Sequence, residues 1–193
     1  MCIEYSESLN IKGVSVQRTI IYLLSLTIFF PSISFAQSKT RNNICSLHNF
    51  DKDQKKVLLD SYSYGKPFGL GYSLSAIAWK ESSAGRNLEN SSDPSYGVHH
   101  ILLSSAMKRS GSEFKRKKLA KMLKENHKLS AIFALKELVF WKKALNKKDR
   151  NWRNVWAAYN GGYRYKKRAP QQYAYDIAKK ISWLKQCGST LRN

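Results

Sequence analysis

Glu81 is the residue whose type and setting first suggest chemistry. It lies in Leu74-Ser75-Ala76-Ile77-Ala78-Trp79-Lys80-Glu81-Ser82-Ser83. Leu74, Ile77, Ala78 and Glu81 stand at i, i+3, i+4 and i+7, so on a helix they share one face, and the carboxylate points where the apolar residues point. An inward glutamate in the last turn of a helix meets two effects that disfavour its ionised form, low polarity and the negative end of the helix dipole. Both suit a general acid. The alternative is an inward Glu81 paired with one of the chain's many Lys or Arg residues.

Two other groups of residues bear on the same question. Ser95-Tyr96-Gly97-Val98-His99-His100-Ile101 follows a polar run with turn chemistry, Asn87 to Pro94, and reads as a loop beside the helix of Glu81. Ala157-Ala158-Tyr159-Asn160-Gly161-Gly162 closes a later helix, its glycines supplying the positive φ needed to leave it. After Glu81 the next acids are Glu89 and Asp93; Asp93 either caps a turn with Pro94 or stands as a second carboxylate able to activate water. His99 and His100 read equally as an exposed pair. No Cys-x-x-Cys or His-x-x-x-His spacing occurs, so the sequence suggests no metal site and no cofactor.

The elements that must position these residues are helical. Asp51 to Tyr64 reads as a helix with acids in its first turn and Val57, Leu58 and Tyr62 at helical spacing, ended by Gly65-Lys66-Pro67. Ser73 is the expected N-cap of the helix that carries Glu81 and stops before Gly85. Ile101 to Arg109 is a short helix. The run from Glu113 to Lys124 places Leu119, Met122 and Leu123 on a stripe beneath a basic face, either a solvated face or one that docks on an anionic polymer. Ser130 to Leu145 is apolar around much of its circumference and is the expected central helix. Asn151 to Ala158 forms another, Arg164 to Arg168 a basic surface loop, and Pro170 to Lys185 a last helix with Tyr173, Ile177, Ile181 and Leu184 on one stripe. No strand alternation and no repeat is evident, so a single mainly α domain is expected over residues 37–193.

Residues 1–36 stand apart. Thr19 to Phe30 is an apolar run after Arg18, followed by Pro31 and by small residues at Ser34 and Ala36, the pattern of a secretory signal cut after Ala36. The run is shorter than the ~20 residues of a membrane span, so no stable span is expected after cleavage. Export removes Cys2 and leaves Cys45 and Cys187, which in an oxidising compartment would form a disulfide closing nearly the whole domain, with a stabilisation of about 4 to 5 kcal/mol. The 193 residues carry a formal charge of +21, from 34 Lys and Arg against 13 Asp and Glu. Such an excess favours anionic partners: nucleic acid, acidic lipid or a cell-wall polymer. Export argues against nucleic acid and places the protein in a periplasm or outside the cell.

Taken in order, Glu81-Ser82, Ser95 to Ile101, Ala157 to Gly162 and Tyr173-Ala174-Tyr175-Asp176-Ile177 resemble the soluble lytic transglycosylase family, whose motifs read Glu-Ser, Gly-Leu-Met-Gln-Ile, Ala-Tyr-Asn and Tyr-Val-x-x-Val. The resemblance runs from about Leu70 to Ile181. It implies a goose-type lysozyme-like helical domain that cleaves peptidoglycan glycan strands between N-acetylmuramic acid and N-acetylglucosamine, leaving a 1,6-anhydro end. Glu81 resembles the single catalytic acid and base, with Ser82 beside it. Tyr159 resembles the tyrosine that hydrogen-bonds and orients that acid, Tyr173 one that frames the sugar site, Asn160 a partner that fixes the loop, and Ser95 and His100 residues lining the glycan. The Met-Gln pair of the family stands here as His99-His100, an imidazole where an amide usually meets the glycan. The resemblance also suggests local wall opening for an envelope-spanning machine such as a secretion or conjugation system. A hydrolytic muramidase using Asp93 as base, and a wall-binding protein without turnover, are the rival readings.

Overall fold

The structure is a computed structural model and describes residues 47–110 and 115–186. These lie within one unit, Thr40–Asn193. The expected signal segment with its cut after Ala36, and the Cys45–Cys187 pair, lie outside the described residues.

The chain is mainly helical. Helix α1, Lys52–Gly65, begins where Asp51 accepts from the Gln54 amide at 2.8 Å while the Gln54 side chain accepts from the Asp51 amide, a reciprocal capping box. A short 3-10 turn, Lys66–Phe68, leads into α2, Gly71–Ser82. The expected cap at Ser73 is not used: α2 starts three residues earlier, from Leu70 without a side-chain cap, and Ser73 is buried inside its first turn. Then come α3, Leu103–Arg109, α4, Arg116–Glu125, and α5, His127–Ala144, capped by Asn126. Helix α6, Trp152–Gly161, is capped by Asn151, and α7, Arg168–Gln186, is the last described element.

Between α2 and α3 the expected loop holds a small antiparallel sheet, β1 Glu89–Asn90, β2 Ser95–Tyr96 and β3 Ile101–Leu102. Glu89 pairs with Tyr96, and Tyr96 in turn with Ile101. Strands of two residues cannot display an alternating pattern, which is why the sequence shows none.

Packing explains why α2 is so apolar. It lies against α1 and α7; α7 packs on α6, α6 on α5, and α5 back on α1, a closed circuit whose inside is filled by Leu74, Ile77, Leu138, Val155, Ala158 and Ile177. Each of the Leu, Ile and Val side chains among them, fully buried, contributes on the order of 1.5 to 3 kcal/mol. Helix α5 buries Ala131, Phe133, Ala134, Leu135, Leu138 and Trp141, but Ile132 and Val139 on its outer face are exposed. On α4, Leu119 and Leu123 are buried beneath lysines that remain in solvent. A second apolar group, Leu47, Phe50, Val57, Leu58, Ala78, Ala84 and Val98, supports the back of α2. There Phe50, Trp79 and Trp183 meet edge to face or tilted, with centroids 5.1 to 6.1 Å apart. No described helix is long and apolar enough to cross a membrane.

Candidate active site

The last turn of α2 ends abruptly. Ser83, Ala84 and Gly85 are all left-handed, with φ of 53°, 57° and 92°, and fold the chain back over the helix end. Ser82 holds this reversal: its buried hydroxyl accepts from the Gly85 amide at 2.8 Å and lies 2.8 Å from the Val98 carbonyl, to which it donates. Ser82 thus ties the end of α2 to the loop before β3 and has no face toward the cleft. Glu81, one residue earlier, points the other way.

Glu81 sits in a cleft lined also by Asp93, Ser95, His100, Tyr159 and Asn160, with its side chain 18% exposed. Its Oε1 accepts a 2.6 Å hydrogen bond from the hydroxyl of Tyr173 on α7. Its Oε2 is 3.6 Å from Nδ1 of His100. Among the described residues no Lys or Arg is within ion-pairing distance of it, and the neighbouring Lys80 pairs instead with Asp176 at 2.7 Å.

The bond to the acid that the resemblance gives to Tyr159 is made by the other tyrosine. The bond to Glu81 comes from Tyr173, whereas Tyr159 donates at 2.8 Å to the backbone carbonyl of His99. Tyr159 therefore fixes the loop whose next residue, His100, meets the acid. Burial pushes both phenols well above their ordinary pKa, reinforced by the negative charge of Glu81, so both stay neutral donors. Asn160, expected to fix the loop, is exposed at the cleft and makes no side-chain hydrogen bond among the described residues. The Ser95 hydroxyl likewise lines the cleft on β2 without a described partner, its backbone held in the sheet.

His99 and His100 are not an equivalent pair. His99 is wholly buried, and its backbone amide and Nδ1 lie 3.2 and 3.1 Å from the Ser130 hydroxyl on α5. Desolvation, aided by the nearby His127 and His100, pushes its pKa down to about 3 and keeps it neutral. His100 faces the cleft floor, with Nε2 2.9 Å from the Asn87 carbonyl. Gly97 makes this split possible: with φ of 83° it passes so close to α4 and α5 that a Cβ there would lie 2.4 Å from the Leu123 carbonyl oxygen. At the far side, Gly162 has the positive φ expected after α6; Gly161 does not, and its bare Cα instead admits Pro170 of α7.

One cleft carboxylate escapes a reading of the sequence. Glu137, the lone acid of α5, also lines the cleft, and both its oxygens are committed, one to Arg109 Nε at 2.6 Å and the other to Trp141 Nε1 at 2.8 Å. The signal was the i, i+4 spacing of Glu137 and Trp141, with Glu137 the one acid on a helix whose other charged residues are basic. Asp93 is exposed at the cleft edge and does not cap its turn: the Asn90 side chain does so, accepting from the amide and hydroxyl of Ser92. No group of three or more His, Cys, Asp or Glu side chains able to hold a metal ion occurs among the described residues.

No family model matches the chain, and no solved structure matches it. Among curated proteins it is similar to an uncharacterized 20.7 kDa protein of Enterobacteria phage T4, from the vs-regB intergenic region, with 28% identity over 159 residues covering 72% of this chain and 84% of that protein.

Proposed function

We propose that the chain is an exported peptidoglycan lytic transglycosylase with a lysozyme-like helical domain, Glu81 serving as both acid and base. The observation that carries this reading is the state of the carboxylates in the cleft. Glu81 is part-buried, oriented by a neutral Tyr173 hydroxyl and, among the described residues, without a Lys or Arg partner, while Glu137 has both oxygens occupied. A single acid held without a Lys or Arg partner suffices for the non-hydrolytic reaction. Glu81 gives its proton to the oxygen between N-acetylmuramic acid and N-acetylglucosamine as that bond breaks and positive charge develops on the muramoyl C1. The carboxylate then takes the proton of the muramoyl C6 hydroxyl, whose oxygen bonds to C1 and closes the 1,6-anhydro ring. Protons balance within the site, and no water is consumed.

Around this centre, Ser95 and Asn160 supply side-chain polar groups without partners among the described residues at the cleft wall, suited to the hydroxyl and acetamido groups of a glycan. The basic surface suits a wall polymer whose peptides carry carboxylates. Hydrolysis is the second reading, favoured by one observation: Asp93 lines the cleft with no described hydrogen bond and could serve as the base of an inverting muramidase.

The test is mass analysis of fragments released from purified sacculi by the protein and by Glu81→Gln. Anhydro-muramoyl ends that vanish in the variant are expected. Reducing ends would transfer the assignment to hydrolysis, and a folded protein that binds sacculi without releasing fragments would leave only wall binding.

A further inference from the structure

Glu81 has a second ionisable group against it whose position the lytic chemistry does not by itself require. We propose that His100 is the proton store of Glu81: the two side chains hold one proton between them, which His100 hands to Glu81 before the glycosidic bond breaks and takes back after the ring closes. This rests on the reading of Glu81 as acid and base, and His100 acts through Glu81 rather than on the sugar.

The atoms are assigned by their neighbours. Nε2 of His100 is 2.9 Å from the Asn87 carbonyl oxygen, which can only accept, so Nε2 carries a hydrogen in either charge state. Nδ1 is then the atom that gains and loses the proton, and it faces Oε2 of Glu81 at 3.6 Å. The other oxygen, Oε1, is already occupied by the Tyr173 hydroxyl. A gap of this size closes with a small side-chain movement, as catalytic hydrogen bonds often do only when substrate is bound. A glutamine at position 100 could orient Glu81 but could not hold its proton.

The backbone on both sides of the pair is unusual in the same way. Among the described residues, Ser83, Ala84 and His100 are the non-glycine positions with positive φ, at 53°, 57° and 43°. Two of them terminate the helix of Glu81 and the third carries the imidazole. Such conformations persist where surrounding structure enforces them, and here they aim the two side chains at each other.

The charges facing His100 single out Glu81 as its partner. From α2 comes Glu81; from the hairpin, Asp93 at the exposed cleft edge; from α5, Glu137, spent on Arg109 and Trp141. Tyr159 on α6 and Tyr173 on α7 are neutral phenols, and His99 beside it is neutral. Burial alone would lower the pKa of His100, but the nearby Glu81 carboxylate and the hydrogen bond to the Asn87 carbonyl leave it above its ordinary value. In the proposed cycle the shared proton starts on Nδ1, the atom that faces Oε2 of Glu81. In the transfer the Nδ1–H bond breaks and an Oε2–H bond forms, leaving neutral imidazole with its hydrogen on Nε2. After the C6 hydroxyl proton reaches Glu81 it returns to Nδ1, and the pair is restored with no co-reactant.

Two measurements test this on the intact protein. In ¹⁵N-histidine NMR, His100, assigned by loss of its signals in His100→Gln, should titrate above the usual histidine value, lose its proton from Nδ1, and drop in midpoint by about one pH unit or more, a tenfold change in proton affinity, in Glu81→Gln. In turnover on sacculi, the alkaline limb of the pH profile should move toward acid by a similar amount in His100→Gln, with the acid plateau kept. His100→Asn, which tolerates positive φ better, repeats the test should the glutamine variant fold poorly. An unchanged His100 midpoint in Glu81→Gln, or alkaline limbs that coincide in native and variant proteins, overturns the proposal. A native protein that releases no fragments but shows the coupled titration fails the lytic reading and supports the shared proton.

Discussion

The hydroxyl of Tyr173 lies 2.6 Å from Oε1 of Glu81, joining α7 to the last turn of α2 across 92 residues of sequence. A short bond between a neutral donor and a carboxylate is of the strong, charge-assisted kind, and it is directional. It fixes one carboxyl oxygen and leaves the other toward His100 and the cleft. Removing the donor in Tyr173→Phe keeps the ring that fills the core and loses only this bond. A hydrogen bond to a charged group is worth about 1.5 to 3 kcal/mol, so turnover on sacculi should fall roughly 10- to 150-fold. The stability read from the urea midpoint should fall by no more than the same free energy. A full-rate Tyr173→Phe would mean that Glu81 needs no orienting donor.

Tyr159→Phe should behave in the opposite way. Its hydroxyl serves a backbone carbonyl, that of His99, and not the acid. The deletion leaves a carbonyl in the loop without its donor, at a cost of about 1 to 3 kcal/mol. The loss should appear as a lower urea midpoint, with a smaller effect on rate than that of Tyr173→Phe. The reverse ranking would restore to Tyr159 the role that the family pattern implies.

That Tyr173 and not Tyr159 bonds to Glu81 shows where a sequence stops being readable. Helices α1 to α7 announce themselves through apolar spacing, and Leu74, Ile77 and Ala78 are buried as that spacing says, whereas the one N-cap read from the sequence, Ser73, is not used. Local pattern determines these features, because the helix period is a local property. Which tyrosine reaches Glu81 depends on how α6 and α7 cross α2, a matter of tertiary packing that no spacing along the chain encodes. The same holds for His99 and His100. Adjacent and chemically alike, they are sent to opposite sides by a turn at Gly97 whose close approach to α4 and α5 exists only in the folded molecule. Glu137 was hidden for a related reason: the one acid on its helix becomes intelligible once Arg109 of α3 is seen against it.

His99 should leave a mark on stability against pH. Its folded pKa is pushed down to about 3, against an ordinary value of 6.5. Below 6.5 the unfolded chain therefore binds a proton that the native protein refuses, so unfolding takes up a proton and stability declines as the pH falls toward 3. The slope from this one group is at most about 1.4 kcal/mol per pH unit. His100 acts in the other direction. Its raised pKa contributes stability in acid that is lost as the pH rises through its folded value. In His99→Met the acid-side slope should shrink by nearly one proton while the neutral-to-alkaline behaviour due to His100 remains. Thermal or urea unfolding followed between pH 3 and 7 gives the comparison, and equal slopes for both proteins would show that His99 protonates without unfolding.

Gly97→Ala tests whether the turn is what delivers His100 to the acid. The native φ of 83° is strained for any residue with a Cβ, and the added methyl would stand 2.4 Å from the Leu123 carbonyl oxygen and 2.8 Å from the Ser130 hydroxyl. The first of these is backbone and cannot swing aside. The second also holds the His99 amide and ring, so a shift there moves the histidine pair as a unit. Left-handed strain costs about 1 to 2 kcal/mol and forced overpacking about 1 to 3 more. A destabilisation of roughly 2 to 5 kcal/mol is expected by urea unfolding at pH 7. What remains folded should have lost the close approach of Nδ1 to Oε2, so the His100 midpoint seen by NMR should fall toward the ordinary histidine value even below the unfolding transition. A destabilised protein with an unchanged His100 midpoint would mean that the Asn87 carbonyl and Glu81 hold the imidazole without help from the turn.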